Sequence, residues 1–520
     1  MTLAALILLL PAIAWGRPFV FGDTAYYWGW GGDILDAIRQ PWPHPGQPWT
    51  PGRSLSGWGA DLHDVTPADL RFNLTWLTAR SAFYAVPFRL LAGAGGLWPV
   101  AAAQALIAAW AVKVAVRAAA PASSRLTYIA GVAALTALSS LGFEAAYAMP
   151  DVFGGLALLA AGLLIALSQR IGRAERVGLC ALIVYAVLAH AENALNLAAA
   201  VAIGAIWRWR VEGEGLAALR RVAPTAAALA VGLGAAMLGG MALGAVFGRP
   251  AHMPPFAASR ILADGGAQAY LRRACPDAGL AACDLAQSPP VPPEYYLWVY
   301  PLERPPLTPA PDRTRYTIDQ FNRLDARHVT EAEADQRERF VGQQSRLVLG
   351  ALGTDGLFEA RQAITHGSVA LINFGVDRNF DTIPLLIHGG RSRLRETLAS
   401  ILPGGVECAR PQSAACGRFD LGGWVPGQYA AALAALLFLA AASLRRRTAP
   451  PEGLACLLGL TLSLVLVNAL LCGAISGPYS RYQSRVEWLV PLGALLLLAE
   501  WVTRPGPAPV SGAGVPKDNQ

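Results

Sequence analysis

Apolar residues fall along this 520-residue chain in long runs, separated by polar stretches of very unequal length. A helix needs roughly 20 apolar residues to cross a bilayer core. A window of that size finds about ten candidates: 2 to 21, 97 to 116, 126 to 143, 151 to 168, 177 to 190, 193 to 207, 222 to 247, 425 to 444, 453 to 475 and 487 to 502. The fifth and sixth are short, and read as one bent helix they would reverse the sidedness of everything after them. Two long stretches, 22 to 96 and 248 to 424, interrupt the apolar runs, and short connectors lie near Glu144, His190 and Arg481. The pattern predicts an all-α polytopic membrane protein with a mainly helical cap on one face.

Within the large stretch, apolar residues recur at spacings of three and four over 256 to 274, 317 to 350 and 356 to 376, which predicts helices there. The proline-rich SPPVPPEYYLWVYPLERPP between the first two predicts an extended strap. The first loop, rich in Trp, Pro and Gly, predicts irregular structure on the membrane. Its aromatics Tyr26, Tyr27, Trp28, Trp30, Trp42 and Trp58 suit the headgroup layer, with sugar stacking or a lipid groove as the functional alternative. The segment from Leu74 to Leu91 carries Arg80 and Arg89 amid apolar residues and reads as an interfacial or re-entrant helix, with a membrane span as the alternative. The expected organisation is an N-terminal membrane module over 1–247 that includes the loop 22–96, a loop domain over 248–424, C-terminal transmembrane helices over 425–502 and a disordered cytoplasmic tail over 503–520.

Composition agrees with the pattern: 54% apolar residues, 15% charged residues and a mean hydropathy of +0.38 are unlike a soluble domain of this length. Charge placement then fixes sidedness. Arg117 and Arg125 follow the second run, Arg170, Arg173 and Arg176 the fourth, Arg208, Arg210, Arg220 and Arg221 the sixth, and Arg445, Arg446 and Arg447 the eighth. All four clusters share one side only if the fifth and sixth segments both cross, and the positive-inside rule makes that side cytoplasmic. Both long loops then face outward, which for a bacterial inner membrane is the periplasm. Residues 1 to 16 have a secretory signal as an alternative reading, since Ala12-Ile13-Ala14 resembles a cleavage site, but no basic region precedes them.

The net charge of +7 is spread along membrane borders and loops, without a nucleic-acid pattern. Cysteine usage points outward independently. Cys275 and Cys283 stand eight apart in the large loop, as do Cys408 and Cys416, while Cys180, Cys456 and Cys472 lie in apolar runs. Two local disulfides in an oxidising compartment are expected, each removing chain entropy worth roughly 2–3 kcal/mol. No histidine sits at ligand spacing beside either pair, so a metal is not expected there.

Polar residues at the outer ends of the apolar runs form a short set: Asp23, Glu144, Asp151, His190, Glu192, Arg481 and Arg485. Arg481 and Arg485 are four apart and share a helix face, against the positive-inside trend. They are candidates for holding an anionic group such as a lipid phosphate, and headgroup contact is the bland alternative. Asp23, in FVFGDTAYYWGW, stands where a carboxylate can take a proton from an acceptor hydroxyl. Asp151 follows a proline and precedes an apolar run, which also suits a helix N-cap.

In layout the chain resembles the GT-C integral membrane glycosyltransferases. GDTAYY with Asp23 opens the first outer loop, GFEAAYAMPD with Glu144 and Asp151 lies between the third and fourth runs, and the loop 248 to 424 joins the seventh and eighth. The resemblance implies Asp23 as general base and aligns Glu144 and Asp151 with the second acidic motif as catalytic candidates, while Tyr26, Tyr27, His190, Glu192, Arg481 and Arg485 are substrate-binding candidates from their places at the outer ends of the apolar runs. It implies a polyprenyl-phosphate-linked sugar donor, an envelope glycan, lipid or protein as acceptor, and membrane lipids as surroundings. Glu144 and Asp151 stand seven apart around Pro150, unlike the adjacent acidic pairs of many relatives. That argues against a divalent metal, and no cofactor is assigned. An O-antigen polymerase or ligase is the second expectation, and a lipid-linked saccharide transporter the third.

Overall fold

The computed structural model describes residues 1–39, 66, 68, 71–72, 80–213, 215–247, 253–302, 328–377, 421–444 and 450–504. The helices run in the order α1 (Thr2–Leu8), α2 (Leu10–Trp15), α3 (Gly22–Arg39), α4 (Ala82–Gly95), α5 (Trp98–Ala119), α6 (Arg125–Leu138), α7 (Leu141–Ala146), α8 (Val152–Leu167), α9 (Arg173–Ala189) and α10 (Asn193–Glu212). They continue with α11 (Gly215–Phe247), α12 (Phe256–Asp264), α13 (Gly266–Ala274), α14 (Glu331–Gly342), α15 (Gln344–Ile372), α16 (Val425–Leu444), α17 (Glu452–Ile475), α18 (Ser480–Glu487) and α19 (Leu489–Thr503). Among the described residues there is no strand, and one isolated parallel bridge joins Phe19 to Tyr147. The fold is all-α.

Among the described residues six helical stretches are long and apolar enough to cross a membrane: Trp98–Ala119, Val152–Arg170, Gly215–Ala245, Leu421–Leu444, Glu452–Ile475 and Ser480–Thr503. By length and composition the expected count of about ten is therefore not reached among the described residues. The other four expected segments are helical but short or charged. The first breaks into α1 and α2 at Leu9 and stops at Gly16, whose φ of +87° only glycine adopts without strain. Helix α6 has 14 residues, α9 opens on Arg173, Glu175 and Arg176, and α10 ends on Arg208 and Arg210.

Side-chain contacts show that the helices run between two chemically different ends. At one, Arg117 pairs with Glu175, Arg170 donates to the Ala118 carbonyl at 3.4 Å, and Arg208 donates to Ile165 and Ala166 carbonyls and to Glu452 at 3.2 Å. At the other lie Asp151, Glu192 and Arg481. Helix α9 thus starts beside Arg117 and finishes near Glu192, and α10 runs back to Arg208. Arg445 to Arg447 and the tail beyond Arg504 lie outside the described residues.

The first loop is more ordered than its composition suggested. Gly22 to Arg39 forms α3, which packs on α4, itself capped by the Ser81 hydroxyl accepting from the Phe83 amide. A Cβ on Gly31 would lie 2.2 Å from the Ala85 carbonyl oxygen, so the glycines that weaken this helix in isolation permit its packing. Tyr27 and Trp30 are buried rather than laid in a headgroup layer, and Trp28 lies under the Arg89 guanidinium. Trp42 and Trp58 lie outside the described residues.

A second apolar cluster, separate from the bundle core, gathers Leu271, Leu285, Tyr295, Tyr296, Tyr300, Phe340 and Leu347. The expected 256–274 helix breaks at Gly265, whose φ is +97°, and the disulfide Cys275–Cys283 closes the loop after it. Cys408 and Cys416 lie outside the described residues. The proline-rich connector is not an extended strap throughout: Tyr295–Val299 forms a π turn. The buried Arg337 guanidinium holds that turn, donating to the Tyr296, Leu297 and Tyr300 carbonyls.

Candidate functional site

The local folding that places Asp23 begins with two backbone hydrogen bonds between distant segments. Phe19 donates to the Ala146 carbonyl at 3.0 Å, and Ala148 donates back to Phe19 at 2.9 Å. The Thr24 hydroxyl accepts from the Phe21 amide and donates to the Ala148 carbonyl at 3.2 Å. The first turn of α3 is thereby fastened to the chain between Glu144 and Asp151. Asp23 keeps 15% of its side chain exposed.

Two guanidiniums reach Asp23. Arg80 donates to Oδ1, and Arg481 Nη1 lies 3.7 Å from Oδ2. Arg481 Nε also donates to Asp151 Oδ1 at 3.0 Å, while its guanidinium stands 4.5 Å from the centre of the Phe21 ring. Arg80 reaches across to Tyr26 and to Trp298 of the second apolar cluster. Tyr27, buried beneath, meets Tyr84 edge-on at 4.8 Å. Asp151 starts α8 but caps nothing with its side chain, so the N-cap expectation is corrected: Arg481 takes it instead.

Helix α18 is polar in sequence, yet Ser480, Arg481, Gln483, Ser484, Arg485 and Glu487 are all buried. Buried polar groups need partners, and each turn of α18 provides one set. Ser484 donates to Glu144 Oε1 at 2.7 Å. Ser140 donates to Glu487 Oε2 at 3.1 Å. Arg485, almost fully buried, donates to Glu192 and to Asn468 Oδ1 at 3.3 Å, and Cys472 donates to Glu192 Oε1 at 2.9 Å. Asn468 in turn donates to the Tyr482 carbonyl and accepts from Asn196 at 3.0 Å.

Burial pushes the Glu144 carboxyl well above the usual range, and the negative charge of Asp151 adds to this. For Glu192 burial acts in the same direction, but the Arg485 charge and neighbouring donors outweigh it and hold the carboxyl down at about 2. His190 is lowered by burial. Its Nδ1 lies 4.0 Å from Glu192 Oε2, beyond hydrogen-bond reach. Among the described residues nothing donates a hydrogen bond to the buried Glu144 Oε2 or Asp151 Oδ2.

The residues singled out in the sequence therefore come together, in two linked groups. Asp23, Asp151 and Arg481 form one, with Tyr26 and Tyr27 beside it; Glu192, His190 and Arg485 form the other, and Glu144 joins them through Ser484. Arg80, Ser484, Glu487, Asn468 and Cys472 also belong to the site, and hydropathy alone does not pick them out. Arg80 is visible as a charge inside an apolar stretch, and Ser484 and Glu487 as the i+3 partners of Arg481 and Ser484 on one helix face. Among the described residues no group of three or more His, Cys, Asp or Glu is arranged to hold a metal ion. Chemically, the first group offers a part-exposed carboxylate between two cations, an arrangement that can exchange one anion for another. No family model matches the chain, and no curated protein and no solved structure matches it either.

Proposed function

We propose that this chain is a GT-C-like glycosyltransferase of a bacterial inner membrane, crossing it about ten times, with α3, α4 and the helices α12 to α14 on the periplasmic side. It moves a sugar from a polyprenyl-phosphate-linked donor to an envelope glycan, lipid or protein. The observation that carries the reading is Asp23 lying between Arg80 and Arg481, two cations that come from distant parts of the chain.

An anionic donor phosphate entering between these arginines competes with Asp23 for their hydrogen bonds, since guanidinium groups bind phosphate and carboxylate alike. That exchange frees the carboxylate as the phosphate is seated. The acceptor hydroxyl then attacks the anomeric carbon, the carbon–oxygen bond to phosphate breaks, its electron pair leaves on the phosphate oxygen, and Asp23 takes the hydroxyl proton. Glu144 and Asp151, both buried, act from behind the site: Asp151 holds Arg481 and Glu144 accepts from Ser484. Arg485, buried and paired with Glu192, positions α18 and does not reach the donor.

Asp23→Asn keeps the shape and an acceptor oxygen but loses the base. Transfer from a polyprenyl-phosphate sugar pool by the purified variant in liposomes is expected to fall by about 10²–10⁴-fold, with insertion and folding intact. Transfer at the wild-type rate removes Asp23 as the base.

A further inference from the structure

Helix α15 is interrupted at Asp355, where the backbone leaves helical geometry at φ −152° and ψ 65°. Helix α14 turns Glu331, Asp335 and Arg339 outward, as a helix in water does, and the first part of α15 already exposes Leu349 at 68% and Leu352 at 43%. After Asp355, the outward positions are Leu357, Ile364, Val369 and Ile372, with Leu357 83%, Ile364 60% and Ile372 67% exposed. Two polar residues of the same stretch point inward, since His366 Nε2 lies 3.0 Å from Asp264 Oδ1 and Glu359 is buried against Gly266, while Arg361, Thr365 and Ser368 are exposed. The large exposed side chains here are mostly apolar, unlike those of α14.

Two hydroxyls share the outward face, and both are satisfied by their own helix. Thr365 donates to the Arg361 carbonyl and Ser368 to the Ile364 carbonyl, each at 2.8 Å. Such back-bonding satisfies a hydroxyl without water. Arg361 is the one charged residue exposed between 356 and 372, and its length lets the guanidinium reach an interface.

The neighbour of this stretch identifies its surroundings. Gly367 lies against Ala469 and Leu470 of α17, and a Cβ on Gly473 would sit 2.3 Å from the Gly367 nitrogen. Helix α17 has the highest hydropathy of the six span candidates, 2.4, and its Leu466, one turn before Leu470, is exposed. Whatever covers α17 at that level continues over the far side of α15.

We propose that the stretch 356–372 lies within the bilayer and that the face formed by Leu357, Ile364, Val369 and Ile372 is covered by phospholipid acyl chains. The expected cap over the membrane thus does not include 356–372, which belongs to the membrane unit. The proposal does not depend on the enzymatic reading.

The test places p-benzoylphenylalanine singly at position 364, 372 or 335 of the full-length protein in phosphatidylcholine liposomes. After irradiation, phospholipid adducts are expected at 364 and 372 at no less than about tenfold the yield at 335, an order-of-magnitude contrast between lipid and water contact. Equal yields at the three positions, or crosslinks from 364 and 372 to another protein chain in place of lipid, overturn the proposal. Ile364→Cys and Ile372→Cys repeat the test with a small side chain, scored by mass spectrometry of the modified peptide. In liposomes a membrane-impermeant maleimide is expected to modify them far more slowly than Asp335→Cys, and labelling at the Asp335→Cys rate is equally fatal.

Discussion

Arg481→Ala isolates the central ion pair. Asp151 has no side-chain exposure, and among the described residues its side chain accepts one hydrogen bond, from Arg481 Nε at 3.0 Å. Removing the guanidinium leaves a buried carboxylate uncompensated, which costs about 3–5 kcal/mol where such pairs have been broken. Asp151→Asn is expected to cost less, because Arg481 retains Asp23 at 3.7 Å and the faces of Phe21 and Tyr482. Combining Asp151→Asn with Arg481→Ala removes both charges, so the double variant recovers part of the loss and a coupling of about 2–3 kcal/mol is expected, at the upper end for contacting residues. The recovery is incomplete because the arginine's packing on Phe21 is lost in either background. Reversible unfolding in mixed micelles, with the detergent-to-denaturing-surfactant ratio as the variable, gives the four free energies. Additivity within about 0.5 kcal/mol would refute the account, because independent sites add to that precision and a buried pair does not.

The same packing sets two further outcomes. Glu192 is held down at about 2 in the folded chain against an ordinary value of 4.5, so its contribution to stability is fully present above about 4.5 and is lost as pH falls toward 2; Glu192→Gln is expected to flatten the acid limb of the stability–pH curve in that window, and an unchanged limb counts against the Arg485–Glu192 pair. Gly155→Ala would bring a Cβ to 2.3 Å from the Arg485 carbonyl oxygen and 2.7 Å from Trp488 Nε1, forcing α8 and α18 apart, whereas Gly131→Ala in α6 meets nothing within 4 Å. Thermal melts should show the first destabilised by about 1–3 kcal/mol and the second stabilised by up to about 1 kcal/mol; equal melting temperatures for the two variants contradict the close approach.

Much of the helical order was legible because runs of about 20 apolar residues have few other structural uses. Part of the charge grouping was legible too: Arg117, picked out after the second apolar run, pairs with Glu175 beside the next arginine cluster, and Arg208 pairs with Glu452. What escaped was order produced by partners far away in sequence. The glycines and aromatics of α3 read as irregular, because local propensity contains no information about Ala85, whose carbonyl only a glycine at 31 lets approach. The tyrosines within the proline-rich connector read as part of a strap, but Tyr295–Val299 forms a buried π turn whose carbonyls accept from Arg337, about forty residues later.

The site shows the same division more sharply. Charges at the ends of apolar runs are conspicuous, so Asp23, Asp151 and Arg481 could be picked out, but hydropathy averages a segment and cannot say that a polar helix is wholly buried. Once α18 is buried, each of its polar groups must find a partner. The partners Glu144, Glu192, Asn468 and Ser140 come from four other parts of the chain. Pairing also divides the two arginines that looked equivalent four residues apart. Arg485 turns to Glu192 and Asn468 and is enclosed, whereas Arg481 faces Asp23, whose other neighbour is Arg80. Arg481 and Arg80 keep 9% and 15% of their side chains exposed beside Asp23, against 1% for Arg485.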